Sequence, residues 1–209
     1  MSKTADSNSG ELHTINGFET VNINTNTATA KTFGAITITG DPDSAGVETS
    51  ATLDIDGAAS FSAAAITVGN ATTGSGTINA SDMTANFVQT AAAVGATTIT
   101  GGSGNDTILG EDLASTLTGG AGNDAITGGS KADTISGGAG NDTFTLTNAA
   151  TAAAADTITG GAGNDIFYST DANLDADHVL SGGDGTDTLK IDDLTAVADS
   201  QLENNTSIE

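Results

Sequence analysis

The sequence predicts an all-β chain: a β-solenoid over its second half, preceded by an irregular β-solenoid or small β-sandwich. Three observations carry this. Five copies of one glycine-rich hexapeptide fall between residues 101 and 190. They read Gly101-Gly102-Ser103-Gly104-Asn105-Asp106, GGAGND at 119–124, 137–142 and 160–165, and Gly182-Gly183-Asp184-Gly185-Thr186-Asp187. Each runs into a short tail whose second residue is apolar: Ile108, Ile126, Phe144, Phe167 and Leu189. Finally, the first hundred residues hold short alternating runs with a single proline, Pro42. Loop plus tail make the nine-residue repeat of glycine-rich β-solenoids.

The loop chemistry points to calcium. Calcium is a hard cation that takes six to eight oxygen ligands in irregular geometry. A tight loop can supply them from backbone carbonyls where glycine allows conformations closed to residues with a Cβ. Successive carbonyls of a near-extended loop point to opposite sides. The first, third and fifth therefore face one ion: Gly101, Ser103 and Asn105; Gly119, Ala121 and Asn123; Gly137, Ala139 and Asn141; Gly160, Ala162 and Asn164; Gly182, Asp184 and Thr186. The sixth place adds the charge that carbonyls lack, through Asp106, Asp124, Asp142, Asp165 and Asp187. The tails, such as Thr107-Ile108-Leu109, turn one apolar residue per strand inward.

Residues 101–190 resemble the repeats-in-toxin (RTX) β-roll of secreted bacterial proteins. The resemblance implies a right-handed parallel roll, two nonapeptides per turn, with ions between loops stacked on one edge. Motif starts at 101, 110, 119, 128 and 137 then alternate between two edges. Loops 101, 119 and 137 share one edge, and loops 160 and 182 return to it after the longer excursions 149–155 and 169–181. The other edge is degraded. Gly110-Glu111-Asp112-Leu113-Ala114-Ser115 lacks the key glycines and aspartate, and GGSKAD at 128–133 has Lys131 where a glycine belongs. The expectation is a one-sided ladder of about four calcium ions, with a weaker site on the second edge near Asp133 and Asp156.

Residues 1–96 form a Thr/Ala/Asn-rich β region, 97–191 the roll, and 192–209 a connecting segment. Strand signals in the first region are residues 20–24, 35–39, 52–56, 66–68, 77–79 and 97–100. Ala35–Gly40 (AITITG) and Ala96–Gly101 (ATTITG) are near copies. Phe18, Phe33, Phe61 and Phe87 read as core fillers or end caps. Residues 77–84 also resemble segments beside RTX repeats in surface-layer proteins of Gram-negative bacteria.

With 27 acidic and 4 basic residues, a net charge of −23 and no arginine, the chain has no footprint for nucleic acid. Cysteine is absent, so neither disulfides nor thiolate metal sites arise. No zinc helix, nucleophile elbow or phosphate loop occurs. The chain is therefore expected not to be an enzyme. His178 reads as solvent-exposed beside Asp171, Asp175 and Asp177. Asp54 and Asp56 share a strand face and suit a calcium ligand or a solvated surface better than catalysis.

No apolar run is long enough to cross a membrane as a helix, and residues 1–30 lack the pattern of a signal peptide. The RTX resemblance instead implies export by a machine that reads a far C-terminal signal, with folding in extracellular calcium. The final residues, Asn205-Thr206-Ser207-Ile208-Glu209, carry no recognisable signal of that kind. Leu12–Glu19 resembles Leu202–Glu209, which suggests a piece of a longer tandem chain. Three functions follow from these readings. The first is a calcium-dependent structural module of a secreted or surface-layer protein, partnered by calcium and by copies of itself or neighbouring modules. The others are a non-catalytic accessory roll of a larger secreted hydrolase or polysaccharide-modifying enzyme, and an adhesin or toxin segment.

Overall fold

The computed structural model describes residues 12–26, 29–39, 50–69, 76–89, 94–147, 155–170 and 178–192. Among them there is no helix, and every strand pair is parallel. Successive strands alternate between two sheets, so one strand from each makes a turn. The nine-stranded sheet stacks β1 (Leu12–Asn16), β3 (Lys31–Thr39), β5 (Phe61–Val68), β7 (Phe87–Gln89), β9 (Thr107–Leu109), β11 (Ala125–Thr127), β13 (Thr143–Thr145), β15 (Ile166–Thr170) and β17 (Thr188–Asp192). The eight-stranded sheet stacks β2 (Thr20–Asn24), β4 (Thr52–Asp56), β6 (Gly76–Asn79), β8 (Ala96–Thr100), β10 (Thr116–Ala121), β12 (Thr134–Ala139), β14 (Thr157–Ala162) and β16 (Val179–Asp184).

Of the two architectures expected for the first region, the described residues form the solenoid. Its sheets run into those of the roll, through β6 against β8 and β7 against β9. Residues 35–39 and 96–100 of the two near copies nonetheless lie in opposite sheets, in β3 and β8. Local sequence specifies a strand, whereas sheet membership depends on the count of turns before it.

Alternation sets the core. In the roll each strand turns in one residue, such as Ile108, Leu117, Ile126, Ile135, Phe144, Ile158, Phe167 and Leu180, all buried. The longer β3 and β5 bury more each: Phe33, Ile36 and Ile38 from one, Phe61, Ala63, Ile66 and Val68 from the other. Phe33, Phe61 and Phe87 pile across three turns with ring centroids 5.2 and 5.8 Å apart, and Phe144 lies 4.9 Å from Phe167. Phe18 departs from the core role. It sits exposed beside Gly17 in the first described turn, where no described turn precedes it to cover the ring.

Register also explains the abundance of threonine. Thr20, Thr52, Thr77, Thr98, Thr116, Thr134 and Thr157 form one outward row across the eight-stranded sheet. β-Branched residues suit a half-exposed pleated surface, and like pairs directly opposite favour one another. Asp54 and Asp56 lie on this outer face too, and Asp54 Oδ1 accepts a hydrogen bond from Asn79 Nδ2 at 2.7 Å. The aspartate is tied to the next turn.

Replacing Phe61 by alanine removes the middle ring of the pile. It should destabilise the first half by about 3–5 kcal/mol in denaturant unfolding. An unchanged midpoint would show that the pile contributes little.

Candidate metal centre

The eight-stranded sheet carries the chain straight into the loops, since β10, β12, β14 and β16 include the first three loop places. Glycines at the second and fourth places then take positive φ, as at Gly120 (119°) and Gly122 (105°), and again in the loops at 137, 160 and 182. The requirement is steric as well as torsional. A Cβ on Gly120 would collide with the Gly102 carbonyl of the preceding turn, and one on Gly138 with that of Gly120. Only glycine permits turns to stack this closely.

The sixth-place aspartates form a column. The backbone N–H groups of Asp106, Asp124, Asp142 and Asp165 donate to Oδ1 of Asp124, Asp142, Asp165 and Asp187 respectively, each at 2.8 Å. All five side chains are buried. The other oxygen, Oδ2, of Asp124, Asp142, Asp165 and Asp187 is buried with no hydrogen-bond partner. In the loops at 119, 137 and 160 it borders the space a side chain on the first glycine would fill, together with the first-place carbonyl of the next turn, Gly137, Gly160 or Gly182.

Burial pushes the Asp124 carboxyl up to about 7; the Asp106 N–H opposes this, and the charges of Asp106 and Asp142 add to it. Burial likewise raises Asp142 to about 6, against the Asp124 N–H and with the charge of Asp165. Asp165 is also raised, first by burial. A buried carboxylate with an unused oxygen must take a proton or a cation. Among the described residues no three His, Cys, Asp or Glu side chains converge on a point. A cation here would draw one carboxylate per turn and the rest of its ligands from carbonyls, which suits calcium and not zinc.

Asp106 stands apart. Its Oδ1 accepts the Phe87 N–H at 2.8 Å and its Oδ2 the Gly102 N–H at 2.7 Å. Gly102 and Gly104 do not share the positive φ of their counterparts. The third-place carbonyls of Ala139, Ala162 and Asp184 each already accept an N–H, from Gly122, Gly140 and Gly163, leaving one lone pair. At the fifth place the asparagine side chains form a second column. Oδ1 of Asn86, Asn105, Asn123, Asn141 and Asn164 accepts the N–H of Asn105, Asn123, Asn141, Asn164 and Thr186 at 2.7–3.0 Å. The sequence motif points only to the carbonyls of these residues; the signal for their side chains is the asparagine that precedes aspartate in four loops.

On the second edge Ser115 holds the sixth place, and Asp112 is exposed. The N–H groups of Ser115 and Asp133 donate to Oδ1 of Asp133 and Asp156, and that of Asp156 to Nδ1 of His178, each at 2.8 Å. His178 is therefore buried, at 1% exposure, which corrects the expectation of a solvent-exposed side chain. The insertion before it hides the phase that puts it in the aspartate column. Its expected neighbours Asp171, Asp175 and Asp177 lie outside the described residues, as do 202–209. Gly129 N–H closes the second oxygen of Asp133 at 2.7 Å. Asp133 and Asp156 are thus brought together, but Asp133 has both oxygens engaged.

The RTX calcium-binding nonapeptide repeat family matches in four copies, over residues 94–112, 114–146 and 151–173. These segments are RTX calcium-binding repeats. They cover just over a third of the chain and include the loops at 101, 119, 137 and 160. The loop at 182 lies beyond the match, yet it shares the glycine torsions and the aspartate column of the RTX loops at 119, 137 and 160. No curated protein and no solved structure matches the chain.

Asp142→Ala should lower calcium affinity at least about tenfold, or ~1.4 kcal/mol, in calorimetric titration. Asp112→Ala should leave it unchanged; equal losses would contradict the one-sided column. Proton linkage gives a second expectation. Because the folded pKa values of Asp124 and Asp142 lie above their unfolded values, the calcium-free fold binds more protons than the unfolded chain. Its stability should fall as pH rises from about 4 to about 7. Calcium affinity should rise over the same window. Melting temperatures in chelator that increase from pH 4 to pH 8 would refute this.

Proposed function

We propose that the chain is a calcium-dependent structural module of a secreted or surface-layer bacterial protein. The observation that supports it most is the column of four buried, unpartnered Oδ2 atoms on Asp124, Asp142, Asp165 and Asp187. With the first-, third- and fifth-place carbonyls of neighbouring loops, these residues would hold about four ions. Bound calcium would supply the positive charge that lets the carboxylates stay ionised in a stack with turns ~5 Å apart. The chain's own contribution is to hold one oxygen of each carboxylate on a backbone N–H and leave the other free.

Each strand of the roll gives the core one inward residue, so burial alone stabilises it little. Ion binding is then coupled to folding. Calcium loops of the weak extracellular kind, with dissociation constants of ~10⁻⁴ to 10⁻³ M, would stay empty in a cytosol and fill outside the cell. We read the module as non-catalytic, since its buried carboxylates are engaged in the columns. Its end strands support an assembly role. Among the described residues, β1 and β2 at one end and β16 and β17 at the other pair on one side only. Partly buried Ile15, Val21, Ile23, Leu189 and Ile191 lie near these ends. Unpaired strand edges invite a neighbouring strand, here from a copy or an adjoining module.

Circular dichroism should show the share of β structure that belongs to residues 101–190 lost in chelator and restored by calcium; a chelator spectrum identical to the calcium spectrum would overturn the proposal. Light scattering and electron microscopy should show ordered association at millimolar calcium and dispersion in chelator. A strictly monomeric, calcium-folded chain at high concentration would favour an accessory role over assembly.

A further inference from the structure

The loop at 101–106 matches the repeat motif as well as any other, but its surroundings are different. Both oxygens of Asp106 are taken by backbone N–H groups, one of them from Phe87 in the preceding turn. Asp133 on the second edge is closed in the same way, by Ser115 and Gly129. The loop rests on the turn at 80–86. Ser103 N–H donates to the Met83 carbonyl at 2.9 Å, Ser103 Oγ to the same oxygen at 3.3 Å, and Asn105 N–H to Asn86 Oδ1 at 3.0 Å. A side chain on Gly102 would strike the Met83 and Ala80 carbonyls, and one on Gly104 the backbone of Ala85 and Asn86. The glycines here admit a protein surface.

The turns before this loop carry a core that owes nothing to metal. Phe61, Phe87, Ile36, Leu53, Ile66 and Met83 are among the largest fully buried side chains before the roll. Toward the roll, Asp106 offers its N–H to Oδ1 of Asp124, the first aspartate with a vacant oxygen.

We propose that the first loop binds no ion of its own and serves as a hydrogen-bonded adaptor. It joins a calcium-independent solenoid, built of β1 to β8, to the calcium-dependent turns that follow, and presents them with a preformed turn. Asp106 is then a positioning residue that orients Asp124. The proposal rests on reading the later loops as ion sites. It differs from that reading in denying an ion to a loop the motif would grant one, and in limiting how far chelation can unfold the chain.

Two measurements on the full chain test it. Hydrogen exchange read by mass spectrometry in chelator should keep amides of β3, β5, β6 and β8 protected while those of β10 to β17 exchange freely; calcium should protect both. Calcium counted by equilibrium dialysis should be the same for Asp106→Asn as for the unsubstituted chain, while Asp124→Asn should lose about one ion. Loss of an ion in Asp106→Asn as in Asp124→Asn would overturn the adaptor role. Uniform loss of protection along the chain in chelator would overturn the calcium-independent half, and needs no variant. No calcium bound by the unsubstituted chain would instead refute the ion sites on which the proposal rests.

Discussion

Everything distinctive in this molecule depends on one hydrogen bond repeated along an edge: a backbone N–H to one oxygen of the aspartate in the next turn. The bond fixes the carboxylate's direction and buries it, and in four turns it leaves the second oxygen without a donor. Ordinary cores avoid such an arrangement because an unpaired buried charge is costly. Here the cost becomes a demand for a proton or a cation beside the free oxygen, and the positive-φ glycines at the second and fourth places let the turns stack closely enough to enclose it.

The two edges show how little separates an ion loop from a hydrogen-bonded turn. Asp133 and Asp124 make the same bond through Oδ1. They differ in whether a loop N–H reaches Oδ2, as Gly129 does for Asp133. That difference follows the glycine torsions. Where the second-place glycine has positive φ, Oδ2 has no hydrogen-bond partner; Gly102 and Gly129 lack that torsion, and their N–H groups close Oδ2 of Asp106 and Asp133. His178 extends the logic, because its Nδ1 can accept the bond but carries no charge as it does so.

Much of this was legible in the sequence. Glycine and aspartate at fixed places encode a loop by local chemistry, so the edge assignment of the loops at 119, 137, 160 and 182 followed from counting. The runs at 20–24 and 52–56 coincide with β2 and β4 because alternation there is strict. β1, β7 and the first halves of β3 and β5 escaped notice. Segments such as Phe61-Ser62-Ala63-Ala64 mix small residues and carry little period, and they are strands because the adjoining turns make them so. Asp106 was illegible for a different reason. Its motif is complete, and what sets it apart is the Gly102 N–H that reaches its second oxygen. His178 was obscured by residues 171–177, which broke the nine-residue phase.

The intervals along the aspartate column are 18, 18, 23 and 22 residues. The additional residues fall between β13 and β14 and between β15 and β16, on the second edge, and the register of β12 with β14 and of β14 with β16 is undisturbed. Chain length is thus free on one edge and quantised on the other. A gene for such a molecule can accept foreign segments at the second edge without shifting a single pair. The ion edge can lengthen only by copying a whole turn, because half a turn would carry its loops to the wrong side.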